Sequence, residues 1–217
     1  MELAGEKYKY KRHGENQSRL ILTTAEKLFT EKGIDNVSLS DIAKECGVMR
    51  ATVYHYYDSK DKILWEILHR YSLEFSGMLK ASFTLTGGST YERFETYIGV
   101  LYKTFVENPQ CYKFYSIFSD IYQSATINND NGIYKEIFQE DEFGSGDTVR
   151  FLMDNFHDGS VKAGLEPRLT AVSVTYGAIS IVTQLSKYLH ILPAKYGVSA
   201  EDIVRTSLNA LLENIKG

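Results

Sequence analysis

The side chains best suited to chemistry in this sequence are donors and aromatics that closely follow a glycine. Arg50, Thr52, His55 and Tyr56 come just after Gly47. A guanidinium, a hydroxyl, an imidazole and a phenol are groups that hydrogen-bond to base edges and phosphates in DNA. If one helix presents all four on its outer face, the sequence predicts a DNA-reading surface.

A short helix is predicted directly before this stretch. Ser38 and Asp41 form the capping-box pattern, in which the hydroxyl accepts a backbone N–H and the carboxylate reaches back to the cap residue. Apolar side chains then recur at the spacing of one helix face, at Leu39, Ile42 and Ala43. This helix is therefore expected to bury one side.

A glycine turn joins this helix to the one that carries the donors. Gly47 suits a tight turn because glycine enters positive φ at little steric cost. Val48 and Val53 supply apolar contacts on the inner side of the second helix. Two helices joined in this way, with the second polar outward, predict a helix-turn-helix that fits the DNA major groove.

Residues on both sides of the second helix extend the predicted contact. Asp58 or Ser59 can cap a further helix, and Asp61 can complete another capping box. Lys60 lies in the first turn of that helix, whose positive end attracts phosphate. Ser40 lies near the amino end of the first helix. The predicted DNA-binding residues are Ser40, Arg50, Thr52, Tyr54, His55, Tyr56 and Lys60.

The stretch from Arg19 to Leu64 resembles the amino-terminal domain of the TetR family of bacterial transcriptional repressors. The matching residues are Ile21, Ala25, Leu28, Phe29, Gly33, Ile42, Ala43, Gly47, Val48, Thr52, Val53, Tyr54, Tyr57, Ser59, Lys60 and Leu64. The resemblance implies a repressor that binds a palindromic operator as a homodimer and responds to a small-molecule effector. Met49 departs from the pattern, because the family usually places a small capping residue there and methionine cannot cap. The reading helix is therefore expected to start one residue late or to take its cap from elsewhere.

Composition sets the broad class of protein. The 217 residues are 43% hydrophobic and 24% charged, which is ordinary for a globular protein, and the net charge is −4. A negative sum does not exclude DNA binding, because a local basic face governs phosphate contact. With no long apolar run and a polar amino terminus, neither a transmembrane helix nor a secretory signal is predicted, and a cytoplasmic protein is expected.

Residues 1–16 form a segment without apolar periodicity. Basic residues alternate with tyrosines there, at Lys7, Tyr8, Lys9, Tyr10, Lys11, Arg12 and His13. Two interpretations stay open: a solvated, frayed terminus, or a basic arm that reaches a neighbouring groove or phosphates when DNA is bound.

Helical periodicity continues through the rest of the chain, so the predicted fold class is all-α. A helix from Gln17 to Lys32 belongs to a DNA-binding domain at residues 17–64, and residues 65–217 form a helical ligand-binding and dimerisation domain. A long helix from near Ser59 towards Phe83 connects the two, which makes it the expected lever for allostery. Further helices are predicted at residues 90–108, 110–125, 133–139, 147–163 and 169–191, with loops at 84–90 and 140–146. Ser199 opens the last helix, and Asp202 completes a capping box.

The last two predicted helices carry apolar residues on more than one face. A surface helix needs a single apolar stripe, so the excess indicates a partner. In the family that this chain resembles, the two helices pair with their counterparts in a four-helix dimer interface. The predicted interface residues are Ile179, Val182, Leu208 and Leu211, and a wholly intramolecular core is the alternative.

Aromatic residues are concentrated in the central region. Each one is explained by a core position, but together they suit a cavity with apolar walls and a few hydroxyl groups. The resemblance places the ligand pocket in the same region. The predicted ligand-binding residues are Tyr97, Phe105, Tyr112, Tyr115, Phe118 and Tyr122.

Signatures of enzymes are absent from the sequence. No phosphate loop, HExxH or GxSxG motif occurs, and Cys46 and Cys111 form no CxxC pair, so no catalytic residue, metal site or cofactor is predicted. Two alternatives to the ligand-responsive repressor remain: a DNA-organising protein whose cavity is filled by its own side chains, and an enzyme acting on an apolar small molecule. An open central pocket would argue against the first, and a converging acid, base or metal cluster would favour the second.

Overall fold

The structure is a computed structural model that describes residues 2–86, 88–122 and 145–217. Within these residues the chain is all-α, as predicted, and the only β pairing is an isolated bridge between Val161 and Lys216. The predicted helix at 133–139 lies outside the described residues. The helices are α1 Glu2–Lys32, α2 Leu39–Cys46, α3 Arg50–Tyr56, α4 Lys60–Thr86, α5 Thr90–Glu107, α6 Pro109–Tyr122, α7 Ser145–Met153, α8 Pro167–Leu185, α9 Ile191–Tyr196 and α10 Ala200–Ile215.

The described chain divides into two compact units. The first, called the head, comprises residues 2–68 and 117–122. The second, called the body, comprises His69–Ser116 and residues 145–217. The sequence predicted that the DNA-binding domain ends at residue 64 and the ligand-binding domain begins there, whereas the chain passes between the two units within both α4 and α6.

The head is built on the apolar stripe of α1. Its buried residues recur at helical spacing and pack with those of α2 and α3, because each of these helices has one apolar side. Gly33, with φ of +82°, ends α1 in the left-handed conformation, and its N–H donates to the Phe29 carbonyl at 3.0 Å. The core of α1 to α3 comprises Ile21, Leu22, Ala25, Leu28, Phe29, Ile34, Val37, Leu39, Ile42, Ala43 and Val53.

Helix α1 begins far earlier than predicted. The expected start was Gln17, but the helix includes residues from Glu2 onward. Periodicity could not find this segment because its sequence has no regular apolar repeat. Once the apolar half of α1 is fixed, adding residues costs little in helix formation, and residues 2–13 contain no proline to stop it. Whether this segment acts as a DNA-contacting arm stays a prediction.

The body packs α5, α8 and α10 around a shared apolar core. Serines cap two of these helices. Ser89 and Glu92 form a capping box at α5, and the Ser199 hydroxyl accepts from the Asp202 N–H at 3.0 Å at α10. Buried residues of the three helices include Phe94, Tyr97, Leu101, Phe105, Ala171, Val174, Ala178, Val182, Val204, Leu208 and Leu212.

Helix α7 ends sooner than the sequence predicted. The expected helix ran to residue 163, but α7 ends at Met153 and Asn155 adopts a positive φ of 44°. The residues beyond it serve the start of α5 instead: Asp158 accepts from the Thr90 N–H at 2.6 Å and the Ser160 hydroxyl accepts from the Tyr91 N–H at 3.0 Å. Long-range capping of this kind leaves no periodic signal in sequence.

Helix α8 is likewise shorter than the predicted 169–191. It starts at Pro167, ends at Leu185, and is followed by a turn and the short α9. The Ser186 hydroxyl donates to the Thr183 carbonyl at 2.7 Å, a local bond that competes with helix continuation. Pro193 could not sit inside one long helix, but it is tolerated in the first turn of α9.

Candidate nucleic-acid interface

Helix α2 begins with the predicted capping box. The Ser38 N–H donates to Asp41 Oδ2 at 2.9 Å, and the Asp41 N–H donates to Ser38 Oγ at 3.2 Å. These hydrogen bonds hold the pKa of the Asp41 carboxyl below its usual value, with the Ser38 side chain as the main cause. The start of the motif is therefore fixed by its own side chains.

The turn between α2 and α3 is also as predicted. Gly47 has φ of +69°, in the left-handed region, where a Cβ would be strained. The next N–H, of Val48, donates back to the Ala43 carbonyl at 3.0 Å. This geometry redirects the chain within two residues and starts α3 at Arg50.

Helix α3 has one buried side and one exposed side. Val53 is fully buried and Tyr57, just after the helix, is 2% exposed. On the other side, Arg50, Tyr54 and His55 are exposed. The predicted separation into an apolar inner face and a polar outer face is therefore present in the structure.

The outer face of α3 is organised by contacts between its own side chains. Arg50 donates to the Tyr54 hydroxyl at 2.8 Å, and its guanidinium lies over the Tyr54 ring at 5.0 Å from the centroid. The His55 and Tyr56 rings meet edge to face at 5.2 Å. These contacts restrict the rotamers of long side chains, which lowers the entropy cost of placing them in a groove.

Thr52 and Tyr56 lie at the edges of this outer face. Both are half-buried rather than exposed. A Cβ placed on Gly14 of α1 would lie 3.7 Å from the Tyr56 hydroxyl, so that hydroxyl borders α1. Of the predicted base-reading residues, Arg50 and His55 are therefore the more accessible.

Ser40 and Lys60 flank α3 from neighbouring helices. Ser40 is half-buried in the first turn of α2. The Lys60 ammonium donates to the Ile34 carbonyl at 2.8 Å and so ties the start of α4 to the loop after α1. A shallow depression of about 430 Å³ lies beside it, lined by Asp35, Asn36, Val37, Ser38, Leu39, Asp41 and Lys60.

A partly buried hydrogen-bond chain beneath α3 was not predicted. The Tyr57 hydroxyl donates to Glu66 Oε2 of α4 at 3.0 Å and lies 2.7 Å from the Ser18 hydroxyl of α1. With Tyr57 as donor to the carboxylate, Ser18 is the donor to Tyr57. In the sequence, Tyr57 is only one of the aromatic residues that match the family pattern. The one sign of a hydrogen bond is that a tyrosine in a core usually needs a partner for its hydroxyl.

The comparisons with known proteins agree with this geometry. The profile of the family described as bacterial regulatory proteins, tetR family, matches residues 21–67, which include all of α2 and α3. This match identifies residues 21–67 as a TetR-family amino-terminal domain. The uncharacterized HTH-type transcriptional regulator YuxN of Bacillus subtilis is 32% identical over 93 residues, which cover 42% of this chain and 31% of YuxN.

Other relatives match over similar lengths. The regulator EthR of Mycobacterium tuberculosis is 37% identical over 57 residues, or 26% of each protein. The aligned regions thus span about a third or less of the length of these curated relatives.

Solved TetR-like structures cover nearly the whole chain. A Saccharomonospora viridis protein assigned as a transcriptional regulator, in complex with choline, has a TM-score of 0.66 and 23% identity, covering 94% of this chain and 99% of its own. SmeT, the repressor of the Stenotrophomonas maltophilia multidrug efflux pump SmeDEF, has a TM-score of 0.64 and 18% identity, covering 92% and 90%. At these identities the likeness establishes the fold alone.

Three of the six residues predicted to bind ligand lie in the core of the body. Tyr97, Phe105 and Tyr112 are all less than a tenth exposed. Tyr112 donates to the Leu101 carbonyl at 3.2 Å, whereas no hydrogen bond to Tyr97 is found among the described residues. Burial raises the pKa of both tyrosines, with Tyr115 adding to the effect at Tyr97. Their hydroxyls are therefore neutral groups at physiological pH.

The other three residues are placed differently. Tyr115 is half-buried in the body, and burial raises its pKa, with Tyr176 contributing. Phe118 belongs to the head, where its ring packs edge to face on Trp65 at 4.7 Å. Phe118 therefore belongs to a different unit from the body tyrosines, because α6 passes from one unit to the other just before it, and its role in ligand binding stays a prediction. The Tyr122 side chain lies outside the described part of the structure.

Two residues predicted for the dimer interface are core residues. Val182 is fully buried and Leu208 is 1% exposed, so neither is available to a partner at the surface of this chain. Ile179 and Leu211 are half-buried. The periodic pattern predicts that α8 and α10 have more than one apolar side. It could not predict which of these sides packs inward. The exposed large apolar residues of α8 and α9 are Leu169, Tyr176, Ile191 and Tyr196.

Neither a metal-binding cluster nor a membrane-spanning helix occurs within the described ranges. Within them, no group of three or more His, Cys, Asp or Glu residues is placed to hold a metal ion. Among the helices of these ranges, none combines the length and apolarity that a membrane crossing requires.

Proposed function

We propose that this TetR-family protein is a transcriptional repressor that binds a palindromic operator as a homodimer and is released by a small, largely apolar or aromatic effector. The observation that carries the proposal is the exposed hydrogen-bonding face of α3 in a domain that matches the family. Recognition helices of this kind read base edges with their amino-terminal residues.

Each predicted DNA-binding residue has a proposed role. Arg50, Thr52, His55 and Tyr56 contact base edges and nearby phosphates, with Arg50 held against Tyr54. Lys60 contacts a phosphate with a donor that its bond to Ile34 leaves available, because an ammonium has three. Ser40 and Tyr54 hydrogen-bond to the DNA backbone and set the register of the reading helix.

The homodimer is proposed from the exposed apolar side of the last helices. Leu169, Tyr176 and Ile191 are each more than half exposed. Exposed apolar residues concentrated on neighbouring helices are typical of a protein–protein interface. Half-buried Ile179 and Leu211 complete the revised interface, in place of Val182 and Leu208. A two-fold dimer presents two copies of α3, which matches the symmetry of a palindrome.

The effector is proposed to bind the body among Tyr97, Phe105, Tyr112 and Tyr115. Their apolar rings suit an apolar or aromatic compound, and neutral tyrosine hydroxyls can bind its polar groups. The choline complex of the S. viridis protein and the efflux-pump regulator SmeT support a small-molecule response in this fold. A coupling free energy of about 1–3 kcal/mol between effector and DNA sites is typical of such proteins.

A footprint of the purified protein on the DNA upstream of its own gene tests the central claim. We expect a protected palindrome whose occupancy falls steeply between a low and a high salt concentration, because phosphate contacts release counterions. An effector screen on that operator then follows, with loss of protection as the readout. No protection at low salt would overturn the DNA-binding proposal. Protection that no apolar or aromatic compound relieves would favour the ligand-independent DNA-organising alternative.

A further inference from the structure

Met49, at the amino end of α3, is the most exposed large hydrophobic side chain among the described residues. It is 76% exposed and serves as the N-cap residue of α3 without any side-chain cap hydrogen bond. Serines occupy the corresponding position at α2, α5 and α10, where each hydroxyl accepts a backbone N–H. Methionine at this position gives up a cap and gains no burial.

The direction of Met49 follows from its backbone. Four residues before buried Val53, a helical residue would face the core, as the helical repeat requires. Met49 instead has extended torsions, with φ of −69° and ψ of 146°, and its side chain is exposed. Its side chain therefore projects into solvent at the amino end of α3, next to Arg50.

We propose that Met49 contacts the C5-methyl group of thymine and thereby selects thymine at one position of each operator half-site. This inference rests on the proposed DNA-binding function. The thymine methyl is the apolar group that base edges offer in the major groove, where the remaining groups are hydrogen-bond donors and acceptors. A flexible, polarizable thioether adapts to such a contact, while a serine at this position would only cap the helix and bind polar groups.

Uracil scanning of the footprinted operator isolates the methyl group. Each thymine of one half-site is replaced in turn by deoxyuridine, which removes the C5-methyl and keeps every hydrogen-bonding group. For the unmodified protein we expect one position at which this change weakens binding about fourfold, the effect of losing one buried carbon group. Changing both half-sites should give about the square of that factor in a two-fold complex.

Met49→Ser and Met49→Leu assign the effect to Met49. With Met49→Ser, which restores a capping side chain, we expect the sensitivity to uracil at that position to disappear. Met49→Leu, which keeps an apolar side chain, should retain it. Thermal melts of both variants report folding independently of DNA binding. The coupling between the protein change and the base change is then read from a double-mutant cycle.

The outcomes separate this inference from the proposed function. Protection of an operator with no uracil-sensitive position, or with a sensitivity that Met49→Ser leaves unchanged, would overturn the role of Met49 and leave the repressor proposal standing. Absence of any protected site would overturn the repressor proposal and this inference with it. Loss of uracil sensitivity in Met49→Ser, together with its retention in Met49→Leu, would establish the contact.

Discussion

The exposed face of α3 in the head and the exposed face of α8 and α9 in the body differ in chemistry. On α3 the accessible groups are mainly polar, with Arg50 and Tyr54 already joined at 2.8 Å. On α8 and α9 the accessible groups include Leu169, Tyr176 and Ile191, at 66%, 62% and 53% exposure. One helical chain thus presents a hydrogen-bonding surface and an apolar surface.

This difference indicates two kinds of partner. A surface of fixed donors suits phosphates and base edges, and its binding weakens as salt rises. A surface of large apolar groups suits another protein surface, and its binding depends on buried area rather than on salt. If the assignment is right, changes on the two faces should separate DNA binding from dimerisation.

Tyr176→Lys should have the largest effect, on the dimer. Tyr176 would be buried in both copies of a two-fold interface, so one substitution introduces two unpaired charges. We expect the dimer dissociation constant, measured by sedimentation equilibrium, to rise at least about 100-fold, as for a strong interface residue. Val106→Lys, which changes a 42% exposed side chain on α5, is the matched control and should leave it unchanged. If Tyr176→Lys had the same dimer dissociation constant as the wild type, the interface would lie elsewhere.

Arg50→Ala should have the next largest effect, on operator binding. Losing a guanidinium that reads a base typically costs about 1–3 kcal/mol, or roughly 5- to 150-fold in affinity. We expect a smaller loss on scrambled DNA, because only the phosphate attraction is reduced there. Fluorescence anisotropy on both DNAs measures the difference, with the exposed Arg150→Ala of the body as control. Equal losses on operator and scrambled DNA would contradict a base-reading role.

The sequence predicted the head better than the body for a physical reason. The α2 cap, the Gly47 turn and the two-sided α3 depend on residues a few positions apart, and such local rules are visible in sequence. Several errors in the body came where distant residues decide. Asp158 accepts a hydrogen bond at the start of α5 and does not belong to α7. Val182 and Leu208 are buried in the core, but an apolar residue type alone does not show whether a position faces the core or a partner subunit.

Tyr57→Phe tests the support beneath the reading face. The change keeps the ring but removes the hydroxyl that contacts Ser18 and Glu66. We expect the free energy of unfolding to fall by about 1–3 kcal/mol, because partly buried partners lose a hydrogen bond, one of them charged. Urea unfolding measures the loss, and the exposed Tyr54→Phe is the matched control, with a smaller expected change. Equal stability of the two variants would show that the hydrogen bonds among Ser18, Tyr57 and Glu66 contribute nothing to the free energy of unfolding.

Asp158→Asn should have the smallest effect, a loss of stability that depends on pH and so differs from the effects of the other substitutions. Hydrogen bonds from the Ser160 side chain, and from the Thr90 and Ser160 backbone, hold the pKa of the Asp158 carboxyl far below its usual value. A lowered folded pKa means that the unfolded chain binds the proton first as pH falls. The contribution to stability is therefore fully present above the unfolded pKa of about 3.9 and is lost as pH falls from there towards the folded pKa.

At neutral pH, Asp158→Asn should cost about 1 kcal/mol, the usual contribution of one side chain that caps a helix start. The difference in unfolding free energy should shrink as the pH is lowered below about 4, because the stabilisation by the wild-type carboxylate is lost there. Urea unfolding of both proteins between neutral pH and about pH 3 measures the difference. A cost that stayed constant over this range would mean that the carboxylate charge does not stabilise the start of α5. Because Asp158 lies away from Arg50 in sequence and on neither compared face, operator affinity at neutral pH should stay unchanged.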